Sequence, residues 1–141
     1  MIFLPNIDAL ILAGVFDRGI PNKERIMIRV LKSTEMAQYG VLLGWNIEGQ
    51  GAPTQPYNDN FYWFGDGVVQ PNDTIFLYTG AGEPRKTTVE GTGTPAYVLH
   101  WGRPFTLFAD SRIVPMVVCF GHMLIEKPAP NAPQLKQLIN G

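Results

Sequence analysis

The side chains of this chain with the strongest intrinsic chemistry are one thiol, Cys119, and two imidazoles, His100 and His122. Cys119 and His122 have a Cys-x-x-His spacing, which suits two of the four ligands of a zinc site. Only His100 and carboxylates remain to complete such a site. Cys119 with His100 could instead form a nucleophile and base. However, Cys119 lies in the apolar run MVVCF, where a thiol is inert. We therefore expect a buried cysteine at a strand end, with no catalytic residue, metal or cofactor.

Carboxylates and glycines supply two weaker signals. Asp59, Asp66 and Asp73 stand in loop-like segments, where they could bind calcium or act as an acid–base pair. Their spacing fits no EF-hand loop, and aspartate in a turn usually bonds its own backbone. The glycine-rich stretch TGAGEPRK at 79–86 lacks the Gly-Lys-Ser/Thr of a phosphate loop. We interpret it as a hairpin turn.

A cluster of aromatic residues is the best candidate for a binding surface. It comprises Tyr57, Phe61, Tyr62, Trp63 and Phe64, and it adjoins a stretch at 48–60 that is rich in Gly, Pro and Asn. On a strand, Phe61 and Trp63 point one way, while Tyr62 and Phe64 point the other. Aromatic side chains are enriched in binding hot spots. The cluster therefore predicts a surface for a protein or a ligand, the alternative being that all of these rings belong to the core.

Composition limits the classes of function. The net charge is −1 and charged residues make up 16% of the chain, so no field would attract nucleic acid or an anionic membrane. The hydrophobic fraction of 45% is enough for one domain, which we place at 1–125, followed by a proline-rich tail at 126–141. The apolar N-terminus lacks the positive charge of a signal peptide. No run is long enough to span a membrane. The location is unknown, and the cytoplasm is the default.

The pattern along the chain predicts an all-β fold. The clearest strand is 24–31, where Ile26, Ile28 and Val30 alternate with Arg25, Met27 and Arg29. Short segments of the same kind recur between turns, so about eight or nine strands are expected, as a β-sandwich or barrel. The strands are predicted at 7–16, 24–31, 41–47, 61–64, 74–79, 85–90, 96–101, 105–109 and 112–120. Pro115 predicts that the last strand is an edge or carries a bulge.

Several of these segments together resemble the lamin-tail domain family. The stretches are YTGAG at 78–82, YVLHWG at 97–102, FTLFADSRIVPMVVCFG at 105–121, and, nearer the start, ERIMIRV at 24–30 and VLLGW at 41–45. The matching residues are Glu24, Gly44, Trp45, Leu107, Phe108, Asp110, Ser111, Val114, Val117, Phe120 and Gly121. Pro115 and Cys119 stand where the family usually has polar residues. The resemblance implies an immunoglobulin-like two-sheet sandwich that serves as an interaction or accessory module without a shared active site.

Three functions follow as hypotheses. The first is a non-catalytic module that self-associates or docks a protein partner, through the aromatic cluster or along the strand edge at Pro115. The second is a β domain that binds a carbohydrate or small ligand. The third is a hydrolase, which would require His100 and His122 to converge with Asp66 or Asp110. A homo-oligomer is compatible with the first, and no nucleic-acid or membrane partner is expected.

Overall fold

The computed structural model describes residues 7–46, 55–122 and 124, with the backbone alone for residues 55–59. These residues form ten strands and one short 3-10 turn, Met36–Gln38, and no helix among them is long and apolar enough to cross a membrane. The all-β prediction is confirmed. The strands are β1 (Leu10–Phe16), β2 (Arg25–Val30), β3 (Thr34–Glu35), β4 (Tyr39–Trp45), β5 (Gln55–Trp63), β6 (Val68–Val69), β7 (Thr74–Tyr78), β8 (Arg85–Thr88), β9 (Pro95–His100) and β10 (Ile113–Cys119).

Two sheets pack face to face as a β-sandwich, and β3 and β6 form a separate short pair. The larger sheet has the order β1-β2-β7-β9-β8, and the smaller sheet has the order β10-β4-β5. In β2, Ile26, Ile28 and Val30 are buried, as their period-two spacing predicts. They meet Val41 and Leu43 of β4 in one apolar core, so the core lies between the sheets.

The larger sheet contains one parallel pair, β7 with β9. The hairpin predicted at TGAGEPRK is therefore wrong, because β8 pairs with β9 and not with β7. The physical reason is burial. The residues of β8 are all exposed, so this strand suits an edge, whereas β9 carries the buried Ala96 and Val98 and takes the interior place.

A buried carboxylate joins three loops at one end of the sandwich. Glu24, immediately before β2, is only 1% exposed. Its Oε1 accepts hydrogen bonds from Thr79 Oγ1 at 2.8 Å and from the Leu107 N–H at 2.6 Å. Its Oε2 accepts hydrogen bonds from the Gly19 N–H at 2.7 Å and the Phe108 N–H at 3.0 Å. The charge is thus fully hydrogen-bonded, as a buried carboxylate must be.

The same carboxylate explains why the strand predicted at 105–109 is absent. This segment forms bends, because the N–H groups of Leu107 and Phe108 bind Glu24 instead of a neighbouring strand. The Phe108 side chain is fully buried and closes this end of the core. Arg18 holds the segment from the other side, since its guanidinium donates to the carbonyl oxygens of Phe108 and Ile113.

The last strand, β10, is an edge of the smaller sheet, as Pro115 predicts. The Phe120 N–H donates to the Gln38 carbonyl oxygen, and the Asn46 N–H donates to the Arg112 carbonyl oxygen. Phe120 and Arg112, which are both even-numbered, therefore direct their backbone N–H and C=O groups toward β4. The register between them is regular from Ile113 to Cys119, so the even-numbered residues of β10 do the same. Because backbone direction alternates in an antiparallel pair, the odd-numbered Pro115 faces the open edge. Pro115 consequently removes no hydrogen bond from the β4 ladder.

Candidate functional site

The consecutive aromatic residues at 61–64 alternate between the two faces of the smaller sheet. Phe61 is 42% exposed and Trp63 is 51% exposed. Tyr62 and Phe64 instead pack against the core. This is the alternation expected of a strand. The Tyr57 side chain lies outside the described residues.

Phe61 and Trp63 belong to a larger apolar surface, which we call the outer face. The register pairs Leu42 with both Phe61 and Met116, so these residues point the same way, opposite to the buried Val41 and Leu43. The outer face comprises Gly40, Leu42, Phe61, Trp63, Val114, Met116, Val118 and, just beyond the strand, Phe120. None of these side chains is charged. Among the described side chains, β4, β10 and the last three residues of β5 are therefore mainly apolar on both sides of the smaller sheet.

Gly40 allows two rings of the outer face to meet across the central strand. A Cβ atom at Gly40 would collide with the Phe61 ring and would lie 2.8 Å from the carbonyl oxygen of Tyr62. With only hydrogen there, Phe61 from β5 reaches Phe120 at the end of β10. Their ring centroids are 5.8 Å apart in an edge-on arrangement. The two rings therefore form a ridge over β4.

Trp63 is fixed in place by its polar atom. The indole N–H donates to the Ala37 carbonyl oxygen at 2.7 Å. The turn that carries Ala37 is itself held by Glu35, whose Oε1 accepts from the N–H groups of Ala37 and Gly67. Because its N–H is already bonded, Trp63 presents apolar surface to the solvent in a fixed orientation.

The inner aromatic pair holds the smaller sheet against the larger one. The Tyr62 ring lies 5.4 Å from the Phe64 ring and 5.8 Å from the Trp101 ring, which follows β9. Burial raises the pKa of the Tyr62 hydroxyl above its usual value. Folding therefore favours the neutral form of this side chain.

This raised pKa predicts a specific loss of stability in alkali. An unfolded tyrosine ionises near pH ~10, so the stabilising effect of Tyr62 is complete below that pH. It is lost as the pH rises through the higher pKa of the folded state, because the unfolded chain releases its proton first. We expect Tyr62→Phe to show a smaller fall in unfolding free energy than the parent protein in urea denaturation between neutral and strongly alkaline pH. The control is Phe61→Leu, which changes an aromatic residue of the same strand, removes no ionisable group and should keep the pH dependence of the parent. Equal slopes for Tyr62→Phe and the parent would contradict the prediction.

The expectation of a buried cysteine is wrong. Cys119 is exposed at the last position of β10, and its Sγ donates to Gln38 Oε1 over 3.7 Å. The apolar run MVVCF signals a core position, but the strand ends at Cys119 and its thiol is left in solvent. His122 is likewise exposed.

The other candidate chemical groups lie in separate surroundings. His100 stacks on the Tyr78 ring at 5.4 Å, and its two ring nitrogens are enclosed without a hydrogen-bond partner. Asp73 is buried and accepts from the Gln70 N–H, so it has the local turn role expected of it. Asp66 is exposed, and the Asp59 side chain lies outside the described residues. In the described ranges no three His, Cys, Asp or Glu side chains are grouped so that they could hold a metal ion.

No protein-family model, curated protein or solved structure matches this chain. The choice of site therefore rests on geometry, which favours the outer face. Sequence reasoning found Phe61 and Trp63 there but missed the contributions of β4 and β10. One signal was available: the run IVPMVVCF in β10 is apolar at odd and even positions alike, which is the pattern of a strand covered on both faces.

Proposed function

We propose that this protein is a non-catalytic association module that pairs with a second copy of itself through the outer face. The observation that carries the proposal is that the described side chains of β4, β10 and the end of β5 are mainly apolar on both sides of the smaller sheet. Antiparallel sheets at a protein surface normally alternate apolar and polar residues. A sheet with two apolar faces has the pattern of a middle layer, so a further layer is expected to cover it.

A second copy is the occupant that the chemistry of the outer face favours. The side chains that define the outer face carry no charge by which a charged partner could be recognised, and two identical faces match each other in a two-fold contact. Two such sheets pack in the same aligned way as the layers of a sandwich, with interdigitating side chains. Phe61 and Trp63 supply the large, fixed rings that dominate such contacts.

The size of the face sets the expected strength of the dimer. β4 and β10 have seven residues each. Three strands spaced ~4.8 Å apart, over a length of seven residues that rise ~3.3 Å each, cover roughly 300 Å² as a flat patch. A standard interface buries about 800 Å² on each partner. We therefore expect a reversible dimer that forms at high protein concentration.

The strand edge at Pro115 is a poorer route to association. Strand addition along β10 requires free backbone donors and acceptors at its open side. Pro115 has no N–H there, and Arg18 already occupies the Ile113 carbonyl oxygen at 2.9 Å. These two features protect the edge, as is common for exposed strands.

The other hypotheses find less support in the geometry. A carbohydrate site needs polar groups that converge beside its aromatic rings, whereas the outer-face side chains are apolar and the Trp63 N–H is occupied. A hydrolase needs a base within hydrogen-bond reach of its partner. Among the described residues, no hydrogen bond joins His100 or His122 to Asp66 or Asp110.

The lamin-tail-like, immunoglobulin-like topology belongs to the same proposal. Its support is the position of the motifs that carry the resemblance. ERIMIRV spans Glu24 and β2, VLLGW ends β4, and RIVPMVVCF leads into and through β10. An interaction module is the role that the resemblance implies.

The decisive experiment compares self-association of two matched lysine variants. Met116→Lys places a charge on the outer face, and Ile11→Lys places one at a 44% exposed apolar residue of β1, on the other sheet. In sedimentation equilibrium, the parent and Ile11→Lys should dimerise alike as concentration rises. Met116→Lys should weaken the dimer by at least roughly tenfold, because a buried unpaired charge is costly.

Two outcomes would overturn the proposal. One is a parent protein that stays monomeric up to millimolar concentration. The other is an equal effect of the two lysine variants, which would show that association does not use the outer face. The exposed Cys119 provides a second readout, since spin labels there should report an intermolecular distance in the parent that Met116→Lys removes.

A further inference from the structure

A cleft of about 460 Å³ lies between three loops that are not part of the outer face. Its volume falls within the range of small-molecule sites, ~300–1,000 Å³. The lining residues come from the loop after β1, the loop after β7 and the segment after β9. They are Pro21, Asn22, Thr79, Gly80, Ala81, Arg103, Pro104, Phe105 and Thr106.

The walls of this cleft are held together by hydrogen bonds. The Arg103 N–H donates to the Thr79 carbonyl at 2.8 Å, and the Gly102 N–H donates to the Gly80 carbonyl at 3.1 Å. Behind the wall, Glu24 binds the Thr79 hydroxyl and the Leu107 N–H. The cleft is therefore largely pre-formed, which lowers the entropic cost of binding a ligand.

Of the described residues that line the cleft, only Arg103 is charged, and no described carboxylate pairs with its guanidinium. Among the described residues it makes no side-chain hydrogen bond or ion pair, and its Nε is enclosed without a partner. The guanidinium carbon lies 5.8 Å from the centre of the Phe105 ring. Two other arginines do have an acidic partner: Arg25 binds Asp17 and Arg112 binds Asp110.

The nearby Glu24 does not fill this role. Its side chain is buried behind Thr79, and each of its oxygens already accepts two hydrogen bonds. A partly buried guanidinium with unused donors is costly unless an acceptor completes it. Guanidinium donors match the oxygens of a carboxylate or a phosphate in a two-point contact. The free donors of Arg103 are therefore suited to an oxyanion.

We propose that this cleft binds a small organic anion. Its carboxylate or phosphate pairs with Arg103, and its planar or apolar part packs on Phe105. The Phe105 side chain is 63% exposed, which leaves its surface available. Asn22 and Thr106 lie in the same lining and can donate further hydrogen bonds.

The test is an NMR titration of isotopically labelled protein with four probes: phenyl phosphate, phenylacetate, inorganic phosphate and the neutral benzyl alcohol. We expect the two phenyl anions to shift the signals of Arg103 Nε, Gly80, Ala81 and Thr106. Benzyl alcohol should leave these signals in place. The anion with the lower dissociation constant, phenyl phosphate or phenylacetate, shows whether the site prefers a phosphate or a carboxylate.

Variants then test separately the proposed contact of the anionic group with Arg103 and that of the phenyl ring with Phe105. Arg103→Gln should weaken binding of both phenyl anions by at least roughly tenfold, and Arg103→Lys should weaken it less. Phe105→Ala should weaken phenyl phosphate but not inorganic phosphate. Arg85→Gln, at an exposed arginine of β8, should bind as the parent does.

The proposal fails if Arg103→Gln binds as the parent does while it remains folded, or if benzyl alcohol binds as well as the anions. Folding is checked by the melting midpoint, which should change little because the guanidinium makes no hydrogen bond to the described residues. None of these outcomes depends on whether the outer face forms a dimer.

Discussion

Glu24→Gln is expected to lower the free energy of unfolding by about 3 kcal/mol, a large part of the stability of a domain of this size. Glutamine keeps the shape of the side chain but replaces one acceptor oxygen with an NH₂ group. That group would face two of the donors that now bind the carboxylate, which come from Gly19, Thr79, Leu107 and Phe108. The remaining bonds also lose the strength that the negative charge gives them.

Urea denaturation, followed by tryptophan fluorescence, measures this loss. Thr79→Val removes only one donor and should cost about 1 kcal/mol. Glu83→Gln is the matched control, because Glu83 is exposed, and it should change stability by less than about 0.5 kcal/mol. If Glu24→Gln were as mild as Glu83→Gln, the carboxylate would not be the structural hub described above.

Gly40→Ala should have the second largest effect, a loss of about 2 kcal/mol from overpacking. The added methyl group would meet the Phe61 ring and the Tyr62 carbonyl, and a backbone atom cannot move away without disturbing the pairing of β4 with β5. Because Phe61 is displaced from the outer face, we expect the dimer to weaken in the same variant. Urea denaturation and sedimentation equilibrium measure the two effects.

A second substitution tests the cause of that loss. Phe61→Ala removes the ring that the new methyl group meets, so the double variant should be less destabilised than the sum of the two single changes. Gly121→Ala is the matched control, since a Cβ atom there meets open space. Strict additivity of the two changes would show that the collision with Phe61 is not responsible.

Local patterns predicted the parts of the fold that depend on one strand at a time. Ile26, Ile28 and Val30 revealed the buried side of β2, and Pro115 revealed an edge. The segment 105–109 was predicted as a strand because its apolar residues satisfy the same pattern. Its backbone donors bind a carboxylate that is 83 residues away along the chain, and no local pattern carries that information. The parallel pairing of β7 with β9 was missed for a related reason, since sequence order favours neighbours.

The two candidate sites likewise differ in how much of each the sequence predicts. The period of two places Phe61 and Trp63 on one side of β5 without any structure. Their continuation through Leu42 and Met116 depends on register, which only the three-dimensional pairing supplies. The cleft at Arg103 is harder still to foresee, because three segments far apart in the chain line it. A single arginine in a loop gives no signal of its own.

The arrangement of β8 and β9 has a consequence for the order of events during folding. These strands are joined by a short turn, in which the Val89 N–H donates to Thr94 and Gly91 and Gly93 adopt the left-handed conformation. Such a hairpin closes locally, on a scale of roughly 1–10 μs.

The parallel contact of β9 with β7 lacks that advantage, because a chain must turn back on itself before parallel strands can meet. We therefore expect the hairpin to form first and to dock onto β7 as a unit. The exposed, polar β8 then takes its place at the edge of the larger sheet already paired with β9. The slow step of folding is the pairing of β9 with β7 in the interior of that sheet.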